Sequence, residues 1–532
     1  MSLKQKMVEQ SRKAFNSPAL MKWVSDDRFL KAAEGVLDAR TRFKDAWHVL
    51  LNGHGLPNID PALNDVELHA KAGANQNGAS TAPANGAGQT RNGARRSAAG
   101  TNGHSHKNGS NFGEGSSDLH ESMNERHSLS NIGGKDVLEK CYKFTAADNA
   151  RKRGIYPFFR PLDYNDGPEA QINGKRVIML GSNNYLGLTT HPKVRAAAKE
   201  AIDRFGTSMT GSRLVNGSMR LHEEFEEKLA VWMGKESALV FTTGYQVNIA
   251  TCAALLSNKQ SVAVIDRNVH ASLYDGSRLG QAAGARLVRF KHADAESLDR
   301  ALEGLNAHDG ALVITDGVFS AEGEIAKLDE LVPVVKKHGA RMLVDDAHAL
   351  GVIGPEGRGT AHMFGLSDQV DLIGGTFSKS LASIGGWLVG ERKVLDYIRH
   401  FAPSFMFAAS AAPPSIAAAM AAFEVMGEEP WRREKLRENF TYMRDELTRL
   451  GFELGHTQTA VIPIFVRQDL RTIMMWRDLL EDWGIYTNPF ISPGVPPKSA
   501  MLRTSYMATH ERPQLDRALE AFEKVGKKYS VI

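Results

Sequence analysis

Two short stretches carry the side chains with the most chemical potential: Gly374-Gly-Thr376-Phe-Ser378-Lys379-Ser380, and before it Val344-Asp345-Asp346-Ala-His348. A lysine set among Gly, Thr and Ser is expensive to bury unless its charge is paired or chemically used. One use is a phosphate-binding loop of the G-x-x-x-x-G-K-[ST] kind. The first stretch nearly spells it, but Ser378 stands where a glycine must let the backbone wrap a triphosphate. The other use is an amine that forms a Schiff base with pyridoxal 5′-phosphate (PLP), the hydroxyls of Thr376 and Ser378 holding the phosphate. This second use also employs Asp345, because PLP needs a carboxylate against its pyridine nitrogen to keep the ring an electron sink. A nucleotide site could use the same aspartate only for a metal, so the residues favour PLP.

These groups need a frame that brings them to one place. Each follows a short apolar run, the pattern of a buried parallel strand opening into a site. Runs of this kind predict strands near 238–242, 262–266, 286–290, 311–315, 341–345, 371–375 and 386–389, with helical patterns between most of them. That alternation is an α/β fold with a mostly parallel seven-stranded sheet covered on both faces. Ligands of such sheets sit beyond the carboxyl ends of strands. At those ends stand Gly244 and Tyr245, His270, Asp316 with Ser320, Asp345 with His348, and Thr376 with Lys379. Earlier, Val177-Ile-Met-Leu runs into Asn183 and Asn184, which make either a turn or a pair of donors for a ligand. Past residue 426 the pattern is that of a smaller α/β domain, with helices at 429–450 and 468–483 and strands near 452–455, 460–466 and 502–506. Arg503, in an apolar strand there, suits a substrate carboxylate, which its planar fork binds bidentately; a surface ion pair is the plainer alternative.

The 532 residues are 42% hydrophobic and 24% charged, the make-up of an ordinary globular chain long enough for more than one domain. A net charge of +4 with dispersed basic residues argues against a nucleic-acid partner. Cys141 and Cys252 have no metal spacing, and no metal is expected. With no run of eighteen apolar residues and no signal-peptide core, the expectation is a cytoplasmic protein. Residues 1–62 read as a helical extension, a docking arm or a segment lying peripherally on a membrane, with Trp23 and Trp47 among its lysines and arginines. Residues 66–132, rich in Gly, Asn, Ala, Ser and His, read as a low-complexity disordered linker in which His104 and His106 lack a third fixed ligand for a metal. An arm over 136–180, a large PLP-binding domain over 181–425 and a small C-terminal domain over 426–532 complete the expected order.

Taken together, Asn183-Asn-Tyr-Leu-Gly-Leu, Thr210-Gly-Ser-Arg, Thr243-Gly-Tyr, Asp266-x-x-x-His270, Asp316-Gly-Val-Phe-Ser, Asp345-Asp-Ala-His, Gly375-Thr-Phe-Ser-Lys and Leu502-Arg resemble, in order, the α-oxoamine synthases. These are fold-type I PLP enzymes, aspartate aminotransferase-like in fold, that condense an amino acid with an acyl thioester and release carbon dioxide. The resemblance covers about 138 to 528. It implies Lys379 as the Schiff-base lysine, Asp345 against the pyridine nitrogen, His270 stacked on the ring and His348 on the ring oxygen. It places Gly244, Tyr245, Ser320, Thr376 and Ser378 on the cofactor, Asn183, Asn184 and Arg503 on the substrate, and Ser410 on the phosphate of a neighbouring subunit in a homodimer with shared sites. Relatives carry Glu where Asp346 stands and hydroxyl residues where Ala408 and Ala409 stand. The nearest likeness within the family is to its members that join serine to a long-chain acyl-coenzyme A, a use that Tyr156-Pro-Phe-Phe-Arg-Pro and Phe401 to Phe407 would suit. Those members carry an arginine where Ile491-Ser-Pro stands, and sister activities on glycine or alanine share every motif.

Overall fold

The computed structural model describes residues 135–532; the extension expected over 1–62 and the linker expected over 66–132, with His104 and His106, lie outside the described residues. The described chain opens into a small sheet of β1 (Tyr164–Asn165), β2 (Glu169–Ile172) and β3 (Lys175–Met179). Asn173 and Gly174 take φ of 51° and 75°, the left-handed pair that a two-residue hairpin turn requires.

The large sheet follows: β4 (Ser237–Phe241), β5 (Ser261–Asp266), β6 (Arg286–Phe290), β7 (Gly310–Asp316), β8 (Arg341–Asp345), β9 (Leu372–Thr376) and β10 (Gly386–Gly390). Its seven strands lie in the order β4-β10-β9-β8-β7-β5-β6. All neighbours run parallel except β10, which is antiparallel to both β4 and β9. Every residue of β5 and β9 is buried, as expected of strands covered on both faces. The helices that matter for the site are α1 (Pro192–Phe205), α2 (Gly244–Leu255), α3 (Ala271–Ala282) and α4 (Pro413–Glu428). Gly276 lets α3 press on α2: a Cβ there would stand 2.8 Å from the Asn248 carbonyl oxygen.

The C-terminal part holds β11 (Val461–Phe465), α5 (Asp469–Glu481), β12 (Ile485–Tyr486), β13 (Asn488–Phe490), β14 (Met501–Ser505) and α6 (Arg512–Lys528), with a three-stranded sheet in the order β11-β14-β13. β12 pairs in parallel with β3, so the later part of the expected arm is built into a sheet with this part of the chain. The strand expected over 452–455 does not form. Gly451 and Gly455 bend the backbone at both ends with φ of 98° and 65°, and the Phe465 N–H meets the Glu453 carbonyl at 2.9 Å without extending into a ladder. No helix among the described residues is long and apolar enough to cross a membrane.

Candidate active site

β5, β7, β8 and β9 end at the same edge of the sheet, and the loops that follow them face a cavity of about 310 Å³. Its walls include Gly244, Tyr245, Asn248, His270, Ser272, Asp316, Asp345, Ala347, His348, Thr376, Ser378 and Lys379. Of the residues singled out by sequence, Gly244, Tyr245, His270, Asp345, His348, Thr376, Ser378 and Lys379 meet here. A larger open groove of about 940 Å³ lies at the opposite edge, where β5, β7, β8 and β9 begin. Arg341 on its wall is paired with Asp371, and His338 with Asp299.

Lys379 follows β9 and shares the cavity wall with Asp345. Among the described residues its Nζ has no hydrogen-bond or ion-pair partner. Burial pushes the amine down to about 7, with Asp345 and Asp316 opposing the shift and Arg503 adding to it. Asp345 closes β8 and is locked in place: Oδ2 accepts from Asn248 Nδ2 at 2.6 Å and Oδ1 from the Ala347 N–H at 2.9 Å. Asn248 also donates to Ser272 Oγ at 2.8 Å. The sequence reading passed over Asn248, although it lies one helical turn after Gly244 and therefore on the same face of α2.

His270 caps α3, its Nδ1 taking the Ser272 N–H at 3.3 Å and contacting Ser272 Oγ at 2.7 Å. Both oxygens of Asp316 accept the His270 N–H, at 3.2 and 3.1 Å, which holds the histidine at the cavity wall. Burial lowers the His270 pKa, and burial with the nearby Lys379 and Arg503 charges takes that of His348 well below the usual range. Burial thus favours the neutral form of both rings.

Other predicted residues sit apart from the wall. Asn184 turns inward, accepting the Leu188 N–H at 3.0 Å and donating to Thr189 Oγ1 at 2.9 Å, so its side chain belongs to the turn and is not available to a ligand. Asn183 instead reaches Arg503, accepting from Nη2 at 3.1 Å. Arg503 is only 3% exposed, and no carboxylate among the described residues pairs with it, which excludes the surface ion pair. Its Nε donates to the Ser320 carbonyl at 2.6 Å and its Nη1 to Ser505 Oγ at 2.8 Å. Ser320 thus enters through its backbone, holding Arg503. Ser410 lies next to the 207–218 loop, its N–H on the Gly211 carbonyl at 2.9 Å and its buried hydroxyl without a partner among the described residues. Asp346 faces away from the cavity and accepts the Thr360 N–H at 2.9 Å. Phe405 is core, packed on Phe241, whereas Phe159, Phe401 and Phe407 are exposed, and none of them lines the cavity.

The cavity fits a planar ring with an anionic tail. At one end α2 points its N-terminus inward, with the Thr376 and Ser378 hydroxyls 2.8 Å apart beside it, a ready anion site. Gly244 is required there, since a Cβ would stand 2.6 Å from Thr376 Cβ. Asp345, His270, Ala347 and Lys379 line the same cavity.

Residues 175–522 match the family Aminotransferase class I and II. A serine palmitoyltransferase of Sphingobacterium spiritivorum is 41% identical over 395 residues, covering 74% of this chain and 98% of the relative. An 8-amino-7-oxononanoate synthase of Thermoanaerobacter pseudethanolicus is 38% identical over 386 residues, covering 72% of this chain and 96% of the relative. Among solved structures, a lysine-to-alanine variant of serine palmitoyltransferase from S. paucimobilis with bound PLP–myriocin aldimine superposes with a TM-score of 0.72 at 36% identity, covering 75% of this chain and 100% of that one.

Proposed function

The chain belongs to the α-oxoamine synthase family of fold-type I PLP enzymes, and from that premise we propose that it binds PLP and joins L-serine to palmitoyl-coenzyme A, releasing carbon dioxide and coenzyme A to give 3-ketodihydrosphingosine, the opening reaction of sphingolipid synthesis. The observation that carries this reading is the unpaired, depressed Lys379 amine on the same small cavity as a fully hydrogen-bonded Asp345.

PLP, when bound, supplies an electron sink for charge developing at the amino-acid α-carbon. The residues do the rest. The α2 N-terminus with Thr376 and Ser378 binds the phosphate. Lys379 would hold the cofactor and, when not bonded to it, would accept the α-proton, a task suited to an amine whose pKa burial brings down to about 7. Asp345, held in place by two N–H donors, would stand against the ring nitrogen and keep a proton on it. With PLP bound, His270 would cover one ring face, Tyr245 would contact the cofactor near its phosphate end, and His348 would donate to the ring oxygen.

Arg503 takes the amino-acid carboxylate. Three of its N–H donors are committed to Ser320, Ser505 and Asn183, and the guanidinium keeps further donors. Asn183 releases its donor when the carboxylate arrives. In a homodimer with shared sites, the unpartnered Ser410 hydroxyl of each copy reaches the phosphate held by the other.

A second reading is a sister synthase that uses alanine or glycine with a shorter thioester. The 38% identity to an 8-amino-7-oxononanoate synthase favours it. Mass spectrometry of products from serine, glycine and alanine, each paired with palmitoyl-, acetyl- and pimeloyl-thioesters, separates the two. A 3-ketodihydrosphingosine product from serine and palmitoyl-coenzyme A supports the first reading, whereas turnover only with alanine or glycine and a shorter acyl group establishes the second.

A further inference from the structure

We infer that Tyr185 is a positioning residue that fixes which ring nitrogen of His348 carries the proton, so that Nε2–H is the donor offered to an acceptor oxygen in the cavity.

Tyr185 is 1% exposed and lies behind the cavity wall. Its oxygen stands 2.6 Å from His348 Nδ1 and 3.3 Å from Asn183 Oδ1, with the Arg503 guanidinium beside it. A neutral imidazole has one N–H and one acceptor nitrogen, so the direction of the short contact decides the tautomer.

Donor count and distance together point to one direction. Arg503 only donates, so the oxygen of the Asn183 carboxamide must face it, and Nη2 takes one lone pair at 3.1 Å. Ser505 Oγ already accepts from Arg503 Nη1 at 2.8 Å and turns its own proton to Asn183 Oδ1 at 3.3 Å. The Tyr185 oxygen stands as far from Oδ1 as Ser505 does, 3.3 Å, and much nearer, 2.6 Å, to His348 Nδ1. The Tyr185 proton is left with one good acceptor, His348 Nδ1. Burial raises the Tyr185 phenol to about 12, which keeps that proton on it, and the neighbouring guanidinium draws the oxygen lone pairs to its own side. His348 Nδ1 therefore accepts, and Nε2 keeps the N–H on a ring that lines the cavity.

The result is a buried line from Arg503 through Tyr185 to His348. It gives the cavity a fixed donor suited to an oxygen that bears negative charge, such as a phenolate. That this oxygen belongs to PLP rests on the function proposed above; the tautomer itself does not.

The test uses the full chain labelled with [15N]histidine, with and without added PLP, the His348 signals being identified by their loss in His348→Asn. In the wild type, Nε2 is expected to be protonated and Nδ1 bare across about pH 5 to 8. In Tyr185→Phe, the signal is expected to move to a mixture of tautomers, with PLP affinity, read by quenching of protein fluorescence, falling roughly three- to ten-fold. A proton found on Nδ1 in the wild type overturns the inference whether or not the variant folds. So does a Tyr185→Phe protein whose His348 signals are unchanged. Failure of PLP to bind with the Nε2 tautomer in place would instead count against the proposed function and leave the positioning role standing.

Discussion

Arg503 Nε donates to the Ser320 carbonyl at 2.6 Å, joining a strand of the C-terminal sheet to the loop that follows β7 in the large one. The proposed carboxylate clamp therefore depends on both sheets. Arg503→Lys keeps the charge but loses the planar fork that serves Ser320, Ser505 and Asn183 together. Steady-state kinetics should show kcat/KM for the amino acid reduced roughly 10- to 100-fold. PLP affinity should fall no more than in Tyr185→Phe, because Arg503 is not on the cavity wall and reaches it only through Tyr185 and His348.

Lys379→Ala removes the only lysine on that wall among the described residues. The purified variant should lack the visible absorption of lysine-bound cofactor and lose turnover together, a positioned base alone being worth roughly 10²- to 10⁴-fold. A variant that keeps the visible band would remove Lys379 from its proposed role.

The depressed Lys379 amine also predicts a pH dependence of stability for the protein without cofactor. Below about 7 the amine is charged in both folded and unfolded chains, and the folded state bears the full penalty of burying it. Between about 7 and 10.5 the folded chain holds a neutral amine while the unfolded chain still binds the proton, so that penalty is relieved as pH rises. Urea denaturation of wild type against Lys379→Met should show the wild type gaining stability relative to the variant across that window. A difference that is flat with pH would mean an ordinary lysine.

Gly244→Ala should act through space alone, its new Cβ standing 2.6 Å from Thr376 Cβ. Overpacking of this kind moves backbone or forces rotamers at a cost of about 1–3 kcal/mol. Titration with PLP should show affinity weakened by roughly tenfold or more, with thermal unfolding of the cofactor-free protein shifted far less. Equal losses in both would make Gly244 a packing residue only.

Much of this was legible in the chain because the large sheet is buried on both faces. Continuous apolar runs such as Val262 to Ile265 and Met342 to Val344 mark the strands, and the first polar residue after each marks the site edge. Less visible was anything decided by side-chain direction. Asn183 and Asn184 are identical in type and adjacent, yet one reaches Arg503 and the other closes a turn with Leu188 and Thr189. Tyr185 reads as core, and its role depends on a histidine far along the chain. The missing strand at 452–455 shows the same limit: alternation at Phe452 and Leu454 is real burial, but two left-handed glycines deny it a ladder.

The reversed course of β10 has a consequence for where Lys379 resides. The chain leaves β9 and returns along its neighbour within a handful of residues, tied by Phe377 N–H to the Gly385 carbonyl at 3.0 Å and by Ser383 N–H to the Phe377 carbonyl at 3.0 Å. The Lys379 amine is thus moored from both directions by the sheet itself, whereas His270 and His348 stand in loops that a strand of the sheet precedes but does not follow. On the function proposed above, a lysine that lets go and recaptures its partner at each turnover would gain a fixed home position from that anchorage. Extra residues inserted between 377 and 385 should be far harder to accommodate than insertions of equal length in the loops that carry its neighbours.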